Sequence, residues 1–242
     1  PYLSRGLGDV YKRQIVRRLN TIGDFATAST LIDESLDVLT RIDDVTPAEQ
    51  CRAYVTTVML RRRIDGPDVA LPWGERALAV SEGLRDQNRA QAIVQTAFTL
   101  QAAGRMDEAT ALCHEGIRLS QEKGYSNVEV RCWHSLASIA KAQGRFEEAK
   151  QYFHRSIETI RDPLSPNGRF LRLNLGALAA LTGDLDAIYP AVHPVWLSGR
   201  SDIDPAARIA SMLLLIPAAL GGRWADWELS LIHISEPTRQ IR

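Results

Sequence analysis

The chain has 242 residues, 29 basic and 29 acidic side chains, 45% hydrophobic and 24% charged content; this is an ordinary globular composition, and its charge balance supplies no field for neutralising phosphates, so nucleic acid is not expected as a direct partner. No apolar run approaches the roughly 20 residues that cross a bilayer, so no membrane partner is expected either. Cys51, Cys113 and Cys132 make an odd number without CxxC spacing, which argues against a disulfide framework or a zinc site, points to a reducing cytoplasm, and leaves no metal or cofactor to expect.

In chain order, residues 1–14 come first and are read as foreign, because together with residues 229–242 they translate one DNA word on opposite strands. Gln14 as CAG reverse-complements to CTG for Leu229, Arg13 as AGA gives TCT for Ser230, and Lys12 as AAG gives CTT for Leu231. The pairing continues without a gap to Pro1 and Arg242, then stops, since Ile15 and Glu228 have no compatible codons. Both segments resemble translated sequencing-adapter DNA and are excluded from fold reasoning. The native segment is then residues 15–228, expected to be an internal fragment of a larger protein. Setting aside Arg5, Lys12, Arg13, Arg239 and Arg242 against Asp9 and Glu236 leaves only a slight acidic excess.

A single pattern recurs along the native segment: a glycine, a polar residue, a large apolar residue and, five positions after the glycine, usually alanine. It occurs at Gly23-Asp24-Phe25 with Ala28, at Gly104-Arg105-Met106 with Ala109, and at Gly144-Arg145-Phe146 with Ala149. A variant stands at Gly66-Pro67-Asp68-Val69 with Ala70, and weaker copies at Gly183-Asp184-Leu185 with Ile188 and Gly222-Arg223-Trp224 with Trp227. The glycines are spaced 43, 38, 40, 39 and 39 apart. Each separates two helical stretches of roughly 15 residues, the first apolar and the second more charged. Around Gly104, for example, Ile93, Ala97 and Leu100 recur at helical spacing upstream, and Ala109, Leu112, Cys113, Ile117 and Leu119 downstream. Glycine ends the first helix by taking a left-handed backbone, the apolar residue two positions on packs into the hairpin, and the alanine removes bulk where the helices cross. About five hairpins and a partial sixth are expected, joined by loops such as residues 122–127 and 162–167. Neither face of a hairpin can be buried alone, so the hairpins must stack.

These residues resemble the tetratricopeptide repeat family. Around Gly144, Trp133 stands where the family favours tryptophan, Leu136 and Ala137 at its leucine and small residue, Ala149 at its alanine and Phe153 at the aromatic of the second helix; Leu175 and Gly176 supply the leucine–glycine pair of the next copy. The resemblance covers essentially all of residues 15–228, although the period is about 40 rather than the usual 34. It implies an all-α, right-handed superhelical solenoid of antiparallel helix hairpins, acting as a non-catalytic protein–protein interaction or scaffold module. Units of this longer kind are similar to arrays attached to bacterial signalling ATPases, LuxR-type regulators and protein kinases.

The resemblance also places certain first-helix positions on a concave groove: Gln91, Val94, Phe98 and Gln101 in one repeat, and Arg131, His134, Ser138 and Lys141 in the next. Such a surface suits a protein or peptide segment bearing carboxylates, with Arg131 and Lys141 attracting it and Phe98 giving it an apolar shelf. The alternative is a small-ligand effector-sensing domain regulating an attached ATPase, kinase or DNA-binding domain. His114, His154 and His193 each lie ten positions after a repeat glycine; on neighbouring repeats about 10 Å apart they cannot share a metal that needs nitrogens within about 2.1 Å, and are expected at the edge of the stack. Arg61-Arg62-Arg63 falls at the end of a predicted helix, where cations offset its dipole. Acidic pairs such as Asp107-Glu108 and Glu147-Glu148 fall in first turns, where they complement the dipole. Cys113, Cys132, Trp224 and Trp227 are expected as core residues. No phosphate loop, nucleophile elbow, HExxH or Rossmann glycine pattern occurs, so no enzyme is expected.

Overall fold

A computed structural model of the protein describes residues 24–41, 45–198 and 205–220. The breaks expected at Gly23 and Gly222, the segments 1–14 and 229–242, and Trp224 and Trp227 lie outside the described residues. Among the described residues there are ten α-helices and no strand: α1 Phe25–Arg41, α2 Pro47–Ile64, α3 Pro67–Val80, α4 Gln87–Ala102, α5 Met106–Lys123, α6 Ser126–Ala142, α7 Phe146–Thr159, α8 Pro166–Thr182, α9 Leu185–Ser198 and α10 Pro205–Leu220. The chain divides into two compact units, residues 1–135 and 136–242. In the first, α1 packs on α2, α2 on α3 and α4, α3 on α4, and α4 on α5; in the second, α7 packs on α8, and α8, α9 and α10 pack on one another.

Local chemistry sets the helix ends. Thr46 and Glu49 form a reciprocal capping box at the start of α2, with Pro47 in its first turn, and this satisfies N–H groups that no helical carbonyl can reach. Asp86 caps α4 through the amides of Asn88 and Arg89, and Ser165 caps α8 through that of Gly168. At the hairpin turns Gly104, Gly144 and Gly183 take φ of 78°, 73° and 74°, a left-handed backbone that a Cβ would strain. The next residue then donates its N–H back to the helix: Arg105 to the Leu100 carbonyl, Arg145 to Ala140 and Asp184 to Ala179, each at 2.9 Å.

The turn at Gly66 differs by one residue from the expected register. Here the backbone N–H of Gly66 itself donates to the Arg61 carbonyl at 3.1 Å, so Gly66 stands in the place of Arg105 and Arg145, not of Gly104 and Gly144. The buried small residue confirms this alignment: the amide of Ala70 bonds to the Gly66 carbonyl as those of Ala109 and Ala149 bond to Arg105 and Arg145. In the shifted register Pro67, not Val69, corresponds to Met106 and Phe146, and Val69 is accordingly 49% exposed. Phe146 also departs from expectation, being 36% exposed instead of packed into its hairpin.

Ala28, Ala70, Ala109, Ala149 and Ile188 are all fully buried. The closest helix approaches, however, are made by glycines. A Cβ on Gly74 would lie 2.8 Å from Thr96 Oγ1, on Gly116 2.7 Å from Cys132 Sγ, and on Gly176 2.3 Å from Val192 Cγ1. These distances are well inside the roughly 3.5–4.0 Å of ordinary carbon contact, so α3 and α4, α5 and α6, and α8 and α9 meet at separations that only glycine permits.

Candidate functional site

In the first unit a shallow, open cavity of about 400 Å³ is lined by Arg62, Phe98, Gln101, Ala102, Met106, Arg131 and His134. It is built on first helices: α2 supplies Arg62, α4 supplies Phe98 and Gln101 one turn apart, and the early turns of α6 supply Arg131 and His134. Two guanidinium groups approach the Phe98 ring, Arg131 at 5.1 Å and Arg62 at 5.8 Å from its centroid. The His134 ring lies 6.2 Å from that of Phe98, tilted by 53°. Such cation and ring contacts hold the aromatic in place while leaving some of its surface exposed for a partner.

Beneath this surface lies the amide of Gln95, 1% exposed. Arg62 donates through Nη1 to the Gln95 carbonyl at 3.2 Å and to Thr99 Oγ1 at 3.3 Å, and through Nη2 to Gln95 Oε1 at 3.3 Å. With the amide turned over, its oxygen accepts instead from Arg131, at 3.1 Å from Nη1 and 2.5 Å from Nη2. One amide oxygen therefore serves one arginine or the other. Burial pushes the Arg62 guanidinium below its ordinary pKa, because losing hydration disfavours the charged form. Its acceptors are neutral, and among the described residues it makes no carboxylate ion pair.

Of the positions expected on the groove, the structure brings Phe98, Gln101, Arg131 and His134 together around this cavity. Gln91 supports them from beside it, accepting from Arg131 Nη1 at 3.3 Å, and Gln101 is held by Ser135, whose hydroxyl donates to Oε1 at 2.7 Å. Val94 is buried, 1% exposed, and offers no surface. Ser138 and Lys141, both half-buried, belong to the unit 136–242, and the site is described from the first unit alone.

Arg62 is not singled out by the sequence, where Arg61-Arg62-Arg63 reads as one dipole-compensating run. The three arginines do occupy the last turn of α2, yet they diverge. Arg61 pairs with Asp33 at 2.5 Å and Asp65 at 3.1 Å, Arg63 lies 5.2 Å over the Phe25 ring, and Arg62 turns to Gln95 and Phe98. In the register set by the Gly66 hydrogen bond, Arg62 corresponds to Gln101 of the next repeat.

The histidines do not form a uniform set. His114 and His154 are exposed, whereas His193 is half-buried and stacks on Tyr189 at 4.4 Å. Among the described residues no group of three His, Cys, Asp or Glu is placed to hold a metal, and no helix is long and apolar enough to cross a membrane. Cys51, Cys113 and Cys132 are free and buried; burial raises the Cys51 thiol above its ordinary range, and the hydrogen bond with Cys113, followed by burial, raises that of Cys132, which keeps these two protonated as small core residues.

Residues 88–162 match the tetratricopeptide repeat family. No curated protein is a match for the sequence. Among solved structures the fold is similar to BtubC from P. vanneervenii, with 20% identity, a TM-score of 0.69 and 87% of each chain covered. It is also similar to a Rap protein complexed with competence and sporulation factor, with 12% identity, a TM-score of 0.72, and 93% of this chain and 64% of that one covered. The Rap conjugation gene regulator of the plasmid pLS20, solved in complex with the Phr* peptide, gives 15% identity, a TM-score of 0.70, and coverage of 95% and 63%. The chain thus spans just under two thirds of either Rap protein. At these identities the likeness is one of fold: an all-helical, tetratricopeptide-like repeat protein.

Proposed function

We propose that residues 15–228 form a non-catalytic protein-interaction module of a cytoplasmic signalling or regulatory protein of bacterial type, and that a carboxylate-bearing protein segment docks on the face formed by Arg62, Phe98, Gln101, Arg131 and His134. The observation that carries this reading is the arrangement of Arg62 and Arg131 at 5.8 and 5.1 Å from one Phe98 ring, which sets two guanidinium groups in the lining of one open cavity. A carboxylate brings two oxygens to that place and charge-assisted hydrogen bonds, each stronger than the neutral bonds it replaces. Phe98 and Met106 add apolar area for a neighbouring side chain of the segment. The two Rap proteins, one solved in complex with the Phr* peptide and the other with competence and sporulation factor, support the reading by fold. Gln91 acts behind Arg131.

The test is selection of peptides from a random displayed library on the 242-residue chain, followed by titration calorimetry at two salt concentrations. Selected peptides are expected to carry Asp, Glu or a free C-terminal carboxylate beside an apolar residue. The double change Arg62→Ala plus Arg131→Ala should weaken their binding and flatten its salt dependence, since exposed charge interactions are screened over about 8–10 Å near physiological ionic strength. Equal affinity of the double variant and the parent would refute the assignment.

A further inference from the structure

The second helix of each hairpin can be read from the residue that precedes it: Asp24, Gly66, Arg105, Arg145 and Asp184. Seven positions after these stand Leu31, Trp73, Leu112, Tyr152 and finally Ala191. Three positions after them, Glu108 and Glu148 of α5 and α7 give way to Ala187 in α9. In α7 the two slots are filled by a bonded pair, Tyr152 donating its hydroxyl to Glu148 Oε1 at 2.8 Å. In α9 both are methyl groups, and there a cavity of about 420 Å³ opens between α7, α8 and α9, with Ala187 and Ala191 in its wall. Its volume is that of a small-molecule site, and such sites combine an apolar lining with few polar groups.

The rest of the lining has that character. Leu175 and Leu178 of α8 and Ile157 of α7 face the cavity, and Arg172, one turn before Leu175, joins them. Arg172 Nε is shielded from solvent and has no hydrogen-bond partner among the described residues. The other charges at this place are settled or outside: Lys150 pairs with Asp184 at 3.0 Å, and Glu147 and His154 are exposed. A buried N–H without an acceptor costs free energy that an anion in the cavity removes.

We propose that this cavity is a second binding site, taking a small organic carboxylate whose apolar body fills the space left by Ala187 and Ala191 and whose head bonds Arg172. It uses none of the residues of the peptide-docking face and stands independently of that reading. The probe is octanoate, titrated calorimetrically into the 242-residue chain, with octylammonium and 1-octanol as controls of the same length. Octanoate is expected to bind saturably and more tightly than either control. Arg172→Gln should weaken it by about tenfold or more, the loss of a charge-assisted hydrogen bond, and Ala191→Tyr, which restores the residue found in register at Tyr152, should abolish it with helical content unchanged. Should Ala191→Tyr fail to fold, Ala187→Leu fills the same cavity from one turn earlier and is expected to block binding. Arg62→Ala plus Arg131→Ala should leave octanoate affinity as it was. Absence of octanoate binding at millimolar concentration, equal binding of octylammonium or 1-octanol, or cavity-filling variants that bind like the parent would each overturn the proposal.

Discussion

Replacing Gly116 by alanine sets two effects of opposite sign against each other. In the interior of α5 alanine is favoured over glycine by roughly 1 kcal/mol through backbone entropy alone. Against that, the new Cβ would lie 2.7 Å from Cys132 Sγ and 3.0 Å from Ile93 Cγ2. Both neighbours are 0% exposed, so neither can retreat into solvent, and reaching ordinary contact requires a movement of about 1 Å between packed helices. Overpacking of this kind costs about 1–3 kcal/mol, so the net expectation is a destabilisation of up to about 2 kcal/mol. Urea denaturation followed by circular dichroism would show it as a lowered midpoint, and a thermal scan as a loss of about 2–4 °C per kcal/mol for a chain of this size. Gly83→Ala is the control, because a Cβ there meets nothing within 4 Å and the backbone is not left-handed. Removing the obstructing sulfur should relieve the clash, so Gly116→Ala with Cys132→Ala should cost less than the sum of the single changes, by about 1 kcal/mol. A Gly116→Ala protein more stable than the parent by the roughly 1 kcal/mol that helix propensity alone predicts, or strictly additive single changes, would refute the close crossing of α5 and α6.

Ala149→Leu, at a fully buried position, should lower the urea midpoint by overpacking worth about 1–3 kcal/mol. Arg62→Met keeps an apolar stem but loses the bonds to Gln95 and Thr99, and should cost about 1–3 kcal/mol in the same assay; an unchanged midpoint would show that those bonds do not hold α2 to α4. Hydrogen bonds from Arg105 and Lys150 hold Glu108 and Asp184 below the ordinary carboxylate range. Their contribution is therefore present above the unfolded carboxylate pKa near 4 and is lost as pH falls through the lower folded values. Urea midpoints at pH 7 and pH 3 should differ less in Asp184→Asn than in the parent.

Much of the fold was legible because its punctuation is covalent. Gly104, Gly144 and Gly183 mark left-handed turns that other residues adopt only at a cost, and the residue five positions later, Ala109, Ala149 or Ile188, is buried. Gly66 also takes a positive φ, 94°, but it stands one place later in its turn than Gly104 and Gly144 do. Phe98, Gln101, Arg131 and His134 were recoverable from helical period together with the family resemblance. The buried Gln95 was not, since its value lies in two arginines brought to it from α2 and α6. Gly74 and Gly116 sit in ordinary helical sequence, and only the approach of Thr96 or Cys132 shows why no larger residue fits. The cavity beside Arg172 carries no motif at all; its signal is the missing bulk of Ala187 and Ala191, visible only once the register of Tyr152 is fixed.

Locating a bound peptide on the molecule tests the interaction reading most directly. A library-selected acidic peptide carrying a benzophenone beside its carboxylate should be photo-crosslinked to the chain and the adducts mapped by mass spectrometry. Adducts are expected in α4 and residues 126–135 of α6, around Phe98, Arg131 and His134, and should disappear in Arg62→Ala plus Arg131→Ala. Adducts confined to α3, α5 or the helices α7 to α9, and unchanged in the double variant, would contradict the assignment of the docking face.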